Sequence, residues 1–422
     1  MKTRITSMLA ALCAGLFMLN STPVSAQMSG DQVEAKIKKA NQIYEYSVGN
    51  PAKNKKTDFV KMDEAKAIIE QVINSGYGND YPWAWKVAAD IMEEYYKKYA
   101  GNQSMNTACE YGYKLVTYAI KADSSITSFS SVVTDEDIQS DIQSIKARNC
   151  NRALSPLLSC LQKAQELSNS SSQADLALGK KYSELIIYAL EKSSLFSAFT
   201  DESKPEWILY AKAFRAQCLA QLDGSKAEDV EAAYRALYGT QYESVAYSAL
   251  LNYFRDRNEQ KYEEILAYAA EHATGEAASQ FAFMNIQNLY INGRKEECIR
   301  QIDRFVEKYA DNDWTVSAYL MKGQIYFDDK KYDMAENVFN IAARKYPNDE
   351  RAITMPAKCA WMKAQSSDLK SDREHAISLF KELETKFPNN PDYWGEPLYI
   401  LYNNNHQPQL RDKYKKYYYG AE

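Results

Sequence analysis

Apolar residues recur along most of the chain at three- and four-residue intervals, with acids, lysines and amides between them. That spacing puts the apolar side chains on one face of a helix. Residues 62–74 (MDEAKAIIEQVIN) stop at Ser75-Gly76, and residues 83–99 (WAWKVAADIMEEYYKKY) start beside Pro82, a favoured first-turn residue. Further helices are predicted at 31–46, 107–122, 142–167, 174–194, 205–222 and 227–237. Pairs then follow at 243–255 with 262–273, 277–291 with 295–309, two helices within 313–349, and 352–364 with 374–387. Pro156 should kink or divide its helix, and Ser225 should cap the helix from 227. Three stretches read as non-helical: a basic loop at 51–56, a Ser- and β-branched-rich surface loop at 124–138 with room for a short strand, and a lengthened turn at 365–373. No long stretch alternates in the manner of a strand, and glycine is scarce at 15 of 422 residues, so the fold class is all-α.

A period underlies the helices. Val230, Ile265, Cys298, Ala335 and Ala376 occupy corresponding places in successive second helices, at intervals in the thirties and low forties. Such a repeat predicts an α-solenoid of antiparallel helix pairs, since one pair cannot bury its own apolar face. The ends of three second helices echo one another as FVEKYAD, ARKYPND and ETKFPNN. The stretch 313–349 carries Tyr319, Gly323, Tyr326, Ala335, Phe339, Ala342 and Pro347, and in these residues it resembles the tetratricopeptide repeat (TPR). Lys322 departs from that pattern, which prefers Leu, and Met321 beside it is expected to fill the space. The preceding unit resembles the family more loosely, with Ile286 where Gly323 stands.

The resemblance implies a superhelix whose first helices line a concave groove. Its groove positions fall on Phe283, Gln287 and Tyr290 in one unit and on Leu320, Gln324 and Phe327 in the next, an amide and aromatic ladder suited to an extended peptide. The family's basic clamp for a C-terminal carboxylate is missing, because Phe283 and Leu320 stand where Lys would be expected. The repeat ends are also similar to those of bacterial envelope proteins, and the Tyr-, Asn- and Lys-rich texture resembles Bacteroidetes-type sequences.

The first 26 residues bear on location. Lys2 and Arg4 precede an apolar run over 8–19, and Val24-Ser25-Ala26 offers small residues for cleavage after Ala26. This layout predicts a secretory signal peptide and a periplasmic or secreted product without a transmembrane anchor, the run being shorter than the ~20 residues a spanning helix needs. Leu12 before Cys13 argues against a lipoprotein signal. The domain reading is 1–26 signal, 27–200 degenerate helical repeats, 201–400 a TPR-like array and 401–422 a capping segment. A net charge of −5 disfavours nucleic acid as a partner.

Motifs for chemistry are missing. His272, His375 and His406 have no metal-ligand spacing, and there is no G-x-S-x-G, phosphate loop, G-x-G-x-x-G or C-x-x-C, so no cofactor, metal or catalytic residue is predicted. Six cysteines remain after Cys13, an even number open to disulfides, although their helical positions favour buried small hydrophobes. The 33 tyrosines fit packing positions first and a glycan- or peptide-gripping surface second. The expected function is therefore a non-enzymatic envelope scaffold binding partner proteins or peptides in its groove. The alternative is an outer-surface glycan-binding repeat protein. An enzyme of the lytic transglycosylase kind would need a lysozyme-like domain that the sequence does not offer.

Overall fold

Helix starts follow local chemistry. In the computed structural model, which describes residues 28–101, 104–130 and 135–419, Ser29 and Gln32 form a reciprocal capping box at the start of α1 (Gly30–Ser47). The Asp58 carboxylate accepts from the Val60 and Lys61 amides to open α2 (Phe59–Asn74). Helices α3 (Pro82–Gly101) and α4 (Met105–Ser130) complete a first cluster, its centre filled by Val33, Ile37, Met62, Ile69, Ala88 and Met92. The alternating small and large residues of α3 put Ala84, Val87, Ala88 and Ile91 at zero exposure. The predicted signal segment lies outside the described residues.

The surface loop expected over 124–138 is corrected by the structure on both sides of residues 131–134, which lie outside the described residues together with any short strand there. Residues 124–130 continue α4, and the next helix is already under way at Glu136. The serines sustain the helix because their hydroxyls donate back to carbonyls one turn earlier, Ser125 to Lys121 and Ser128 to Ser124. Asp123, fully buried, accepts from Ser194 across the packing. Helix α5 (Glu136–Ser168) also runs unbroken through Pro156, contrary to the expected division. Pro156 lacks the N–H that would reach Arg152, yet its ring is buried against the face of Gly112, where an added Cβ would lie 3.3 Å away. Burial of the ring offsets the lost hydrogen bond.

Ser172 caps α6 (Gln173–Glu191), its hydroxyl accepting from the Asp175 amide. Helix α7 (Lys204–Gln221) follows, then α8 (Ala227–Arg235), whose cap position is Lys226 with no side-chain bond; Ser225 does not serve. A second cluster joins α4 to α7 around Leu157, Tyr182, Ile186 and Phe196. Inside this region Asp90 of α3 takes ion pairs from Lys86 of the same helix, at 2.6 Å, and from Arg152 of α5.

The chain divides into two compact units, 1–242 and 243–422. The second contains α9 (Glu243–Phe254), α10 (Glu259–His272), α11 (Ala277–Ile291), α12 (Lys295–Lys308), α13 (Thr315–Asp328), α14 (Tyr332–Lys345), α15 (Glu350–Ser367), α16 (Lys370–Lys386), α17 (Gly395–Asn404), α18 (Pro408–Arg411) and α19 (Lys415–Tyr419). The lengthened turn expected at 365–373 is instead helix on both sides, with Asp368 in the left-handed region joining α15 to α16. Among the described residues there is no strand, only an isolated bridge between Asn50 and Lys55. The fold is an all-α solenoid.

The periodic anchors land where spacing places them. Val230, Ile265, Cys298, Ala335 and Ala376 are all at zero exposure. The helix-end echo is a geometric one as well: Tyr309, Tyr346 and Phe387 each cap their helix with φ between −125° and −121°, donating N–H to Phe305, Ala342 and Leu383. In the best-matching pair, Gly323 lets α14 approach so closely that a Cβ there would sit 2.4 Å from Phe339 Cε1. The small position on α13 is therefore matched to the ring one turn beyond Ala335. Lys322 reaches back to Asp303 of α12 at 2.5 Å, and Met321 beside it is half-buried and packed against the core that holds Ile302, Phe305 and Ile325. At the far end Tyr414 is buried against Trp394 and Tyr402, and Tyr417 lies over Gly395.

Candidate functional site

Three first helices of the second unit, α11, α13 and α15, line an open cavity of about 340 Å³. Tyr290 comes from α11, Ser317, Leu320, Met321 and Gln324 from α13, and Arg351 and Met355 from α15; Phe339 of α14 forms the floor. Ser317, Leu320/Met321 and Gln324 recur at i, i+3/i+4 and i+7, so a single helical face supplies the middle wall.

The six predicted groove residues do not stay together. Tyr290, Leu320 and Gln324 line this cavity. Phe283 is buried, stacked on Trp314 at 5.6 Å and packed on Phe305 at 5.7 Å, so its ring is engaged in the core. Phe327 is half-buried, edge-on to Tyr332 at 5.5 Å, and Gln287 is exposed outside the cavity. The Gln-over-Gln ladder is not formed: Gln324 donates to Asp328 on its own helix at 2.7 Å. Sequence reasoning missed Arg351 and Met355, which sit four residues apart on α15; following the groove face into the next first helix would have found them.

Electrostatically the cavity is apolar with one cation at its rim. Burial raises the Tyr290 phenol above its usual pKa and nearby Asp328 adds to the shift, so the hydroxyl stays protonated and can donate. Arg351 is exposed and pairs with Asp349 at 3.2 Å. The arrangement can hold an apolar side chain between Leu320, Met321 and Met355 while polar groups at the rim meet a backbone. The two Met side chains give it adjustable walls.

Elsewhere the reactive residue types are engaged in packing. All six described cysteines are free, and burial pushes the Cys218 and Cys298 thiols up to about 11 and Cys359 to about 12, which makes them inert at neutral pH. His272 stacks on Tyr268 at 4.0 Å and His375 meets Glu336 at 2.8 Å. Among the described residues no group of three His, Cys, Asp or Glu is placed to hold a metal, and no helix is long and apolar enough to cross a membrane.

No family model and no curated protein matches the chain. Solved structures similar to it include the TPR domain of P58(IPK), at 10% identity over 78% of this chain and 91% of that one, with a TM-score of 0.21. Yeast Tom70 is 14% identical over 92% and 91%, with a TM-score of 0.24. A circular tandem repeat protein of novel repeat topology is 10% identical over 91% and 88%, at 0.22. Scores this low establish no residue correspondence, and the repeat assignment rests on the helix pairs themselves.

Proposed function

We propose that the protein is a non-enzymatic, exported TPR-type scaffold that captures an extended segment of a partner protein in the groove of its second unit. The observation that carries this reading is the cavity between α11, α13 and α15, where residues from three successive first helices converge on a space of side-chain size. An apolar residue of the segment enters between Leu320 and Met355, and the neighbouring backbone runs past Tyr290 and Arg351. Export follows from Lys2, Arg4, the apolar run over 8–19 and the small residues before Gln27, and it puts the partners in the cell envelope.

A photo-crosslinking amino acid at Ser317 tests this in cells. The expected result is a discrete crosslinked partner that disappears when Leu320→Asp is added, with the helical circular dichroism unchanged. Equal crosslinking from the exposed position Arg344, or crosslinking indifferent to Leu320→Asp, overturns the reading.

A further inference from the structure

The first unit has a groove of its own, and its chemistry differs from that of a peptide site. It lies between α5 and α7 with a volume of about 770 Å³, within the ~300–1,000 Å³ typical of small-ligand sites. A quarter of the chain is charged, yet no residue lining this groove carries a charge.

The α7 wall is aromatic: Trp207, Tyr210 and Phe214 follow at i, i+3 and i+7. Their planes are fixed. Phe199 stacks behind Trp207 at 6.0 Å, Tyr210 lies within 12° of parallel to Phe214, and the Tyr210 hydroxyl donates to Glu206 at 2.5 Å. The α5 wall presents Asn151, Gln162 and Gln165, exposed side-chain amides with no protein partner among the described residues. Between them, Ser155 and Ser159 are held by the Tyr96 hydroxyl at 3.0 and 2.9 Å. From Asn151 to Gln165 the wall runs about 21 Å at ~1.5 Å per residue.

We infer that this groove binds a neutral oligosaccharide. Flat, half-buried rings cover the C–H faces of sugar rings at little entropic cost. Each free amide offers donors and an acceptor on one group, as the mixed demands of neighbouring sugar hydroxyls require. An anion would lose its hydration here without meeting a cation, and a peptide would find none of the charges that fix register in peptide grooves. The inference is independent of the partner-protein reading, which concerns the other unit.

Affinity electrophoresis of the full chain through gels containing amylopectin, xyloglucan, galactomannan or mixed-linkage β-glucan tests it, with polygalacturonate as the charged comparison. Retardation by at least one neutral polymer is expected. Trp207→Ala should weaken it by about tenfold or more. Because Trp207 also packs on Phe199, the exposed pair Gln162→Ala with Gln165→Ala provides a variant with no structural burden, and it too should reduce retardation, whereas Leu320→Asp in the second unit should not. No retardation by any neutral polymer, equal retardation by polygalacturonate, or retardation unchanged in the glutamine variant overturns the inference. A polypeptide crosslinked from position 162 would overturn it in favour of a peptide groove.

Discussion

Two neighbouring helix pairs solve one packing problem in opposite ways. In α13/α14, Gly323 has no side chain and Phe339 fills the space, its ring within 2.4 Å of where a Cβ would lie. In α11/α12 the corresponding positions are Ile286 and Ile302, both at zero exposure, and the Cys298 thiol donates to the Ile286 carbonyl at 3.6 Å. One pair concentrates its volume on the second helix and the other divides it between the two. The first helix is thereby freed of packing duty at different places, and in α13 the free face lines the cavity.

The largest effect should come from removing the concentrated volume. Phe339→Ala leaves a void beside a glycine that cannot fill it, and should cost about 3–5 kcal/mol in urea unfolding of the chain. Ile286→Gly, the reciprocal truncation, adds the helix penalty of an interior glycine of about 1 kcal/mol to its own cavity term. A loss well below 2 kcal/mol at either site would show that the pairs collapse freely and that the contrast is superficial.

Exchange of the two solutions is the sharper test. Gly323→Ile alone forces a branched side chain into the Phe339 ring and should destabilise by about 1–3 kcal/mol or more. Combined with Phe339→Ile it recreates the Ile286/Ile302 arrangement. The double variant should then lose less than the sum of the single changes, with a coupling of about 1–3 kcal/mol. Additive losses would mean that the two positions do not share one space.

The sequence shows this array clearly and the sites only in part, for physical reasons. Periodicity reports burial, so Val230, Ile265, Cys298, Ala335 and Ala376 could be placed in the core from spacing alone, and α11 is bounded as predicted. Serine is ambiguous because its hydroxyl can end a helix or bond back into one, and in 124–130 it does the second. Phe283 and Leu320 are equivalent by repeat position, but Trp314, which is none of the motif residues of the next unit, stacks on Phe283. The Asp90–Arg152 pair joins residues 62 apart, which no local pattern reveals. The groove of the first unit went unread because its amides and aromatics look like ordinary surface and packing positions until α5 and α7 are set side by side.

The smallest effect concerns how each pair begins. Helices α11 and α13 start without a side-chain cap, whereas α15 starts with Asp349, whose carboxylate accepts from the Ala352 amide at 2.9 Å beside Arg351. Partial burial disfavours the Asp349 charge, but the Ala352 amide and Arg351 outweigh it and the net pKa falls below the usual carboxylate value. A depressed folded-state pKa contributes stability that is present above the unfolded value of about 4 and is lost as pH falls through the lower, folded value. Asp349→Ala should therefore cost about 1 kcal/mol at pH 7, with a smaller difference from the parent at pH 3. Since Arg351 stands at the cavity rim, releasing it from Asp349 changes the groove as well as the cap. Asp349→Asn separates the two effects: it can still accept the Ala352 N–H, so it should recover most of the lost stability while leaving Arg351 unpaired. If Asp349→Asn is as unstable as Asp349→Ala, the carboxylate acts through its charge on Arg351 and the helix end, not as a hydrogen-bonding cap.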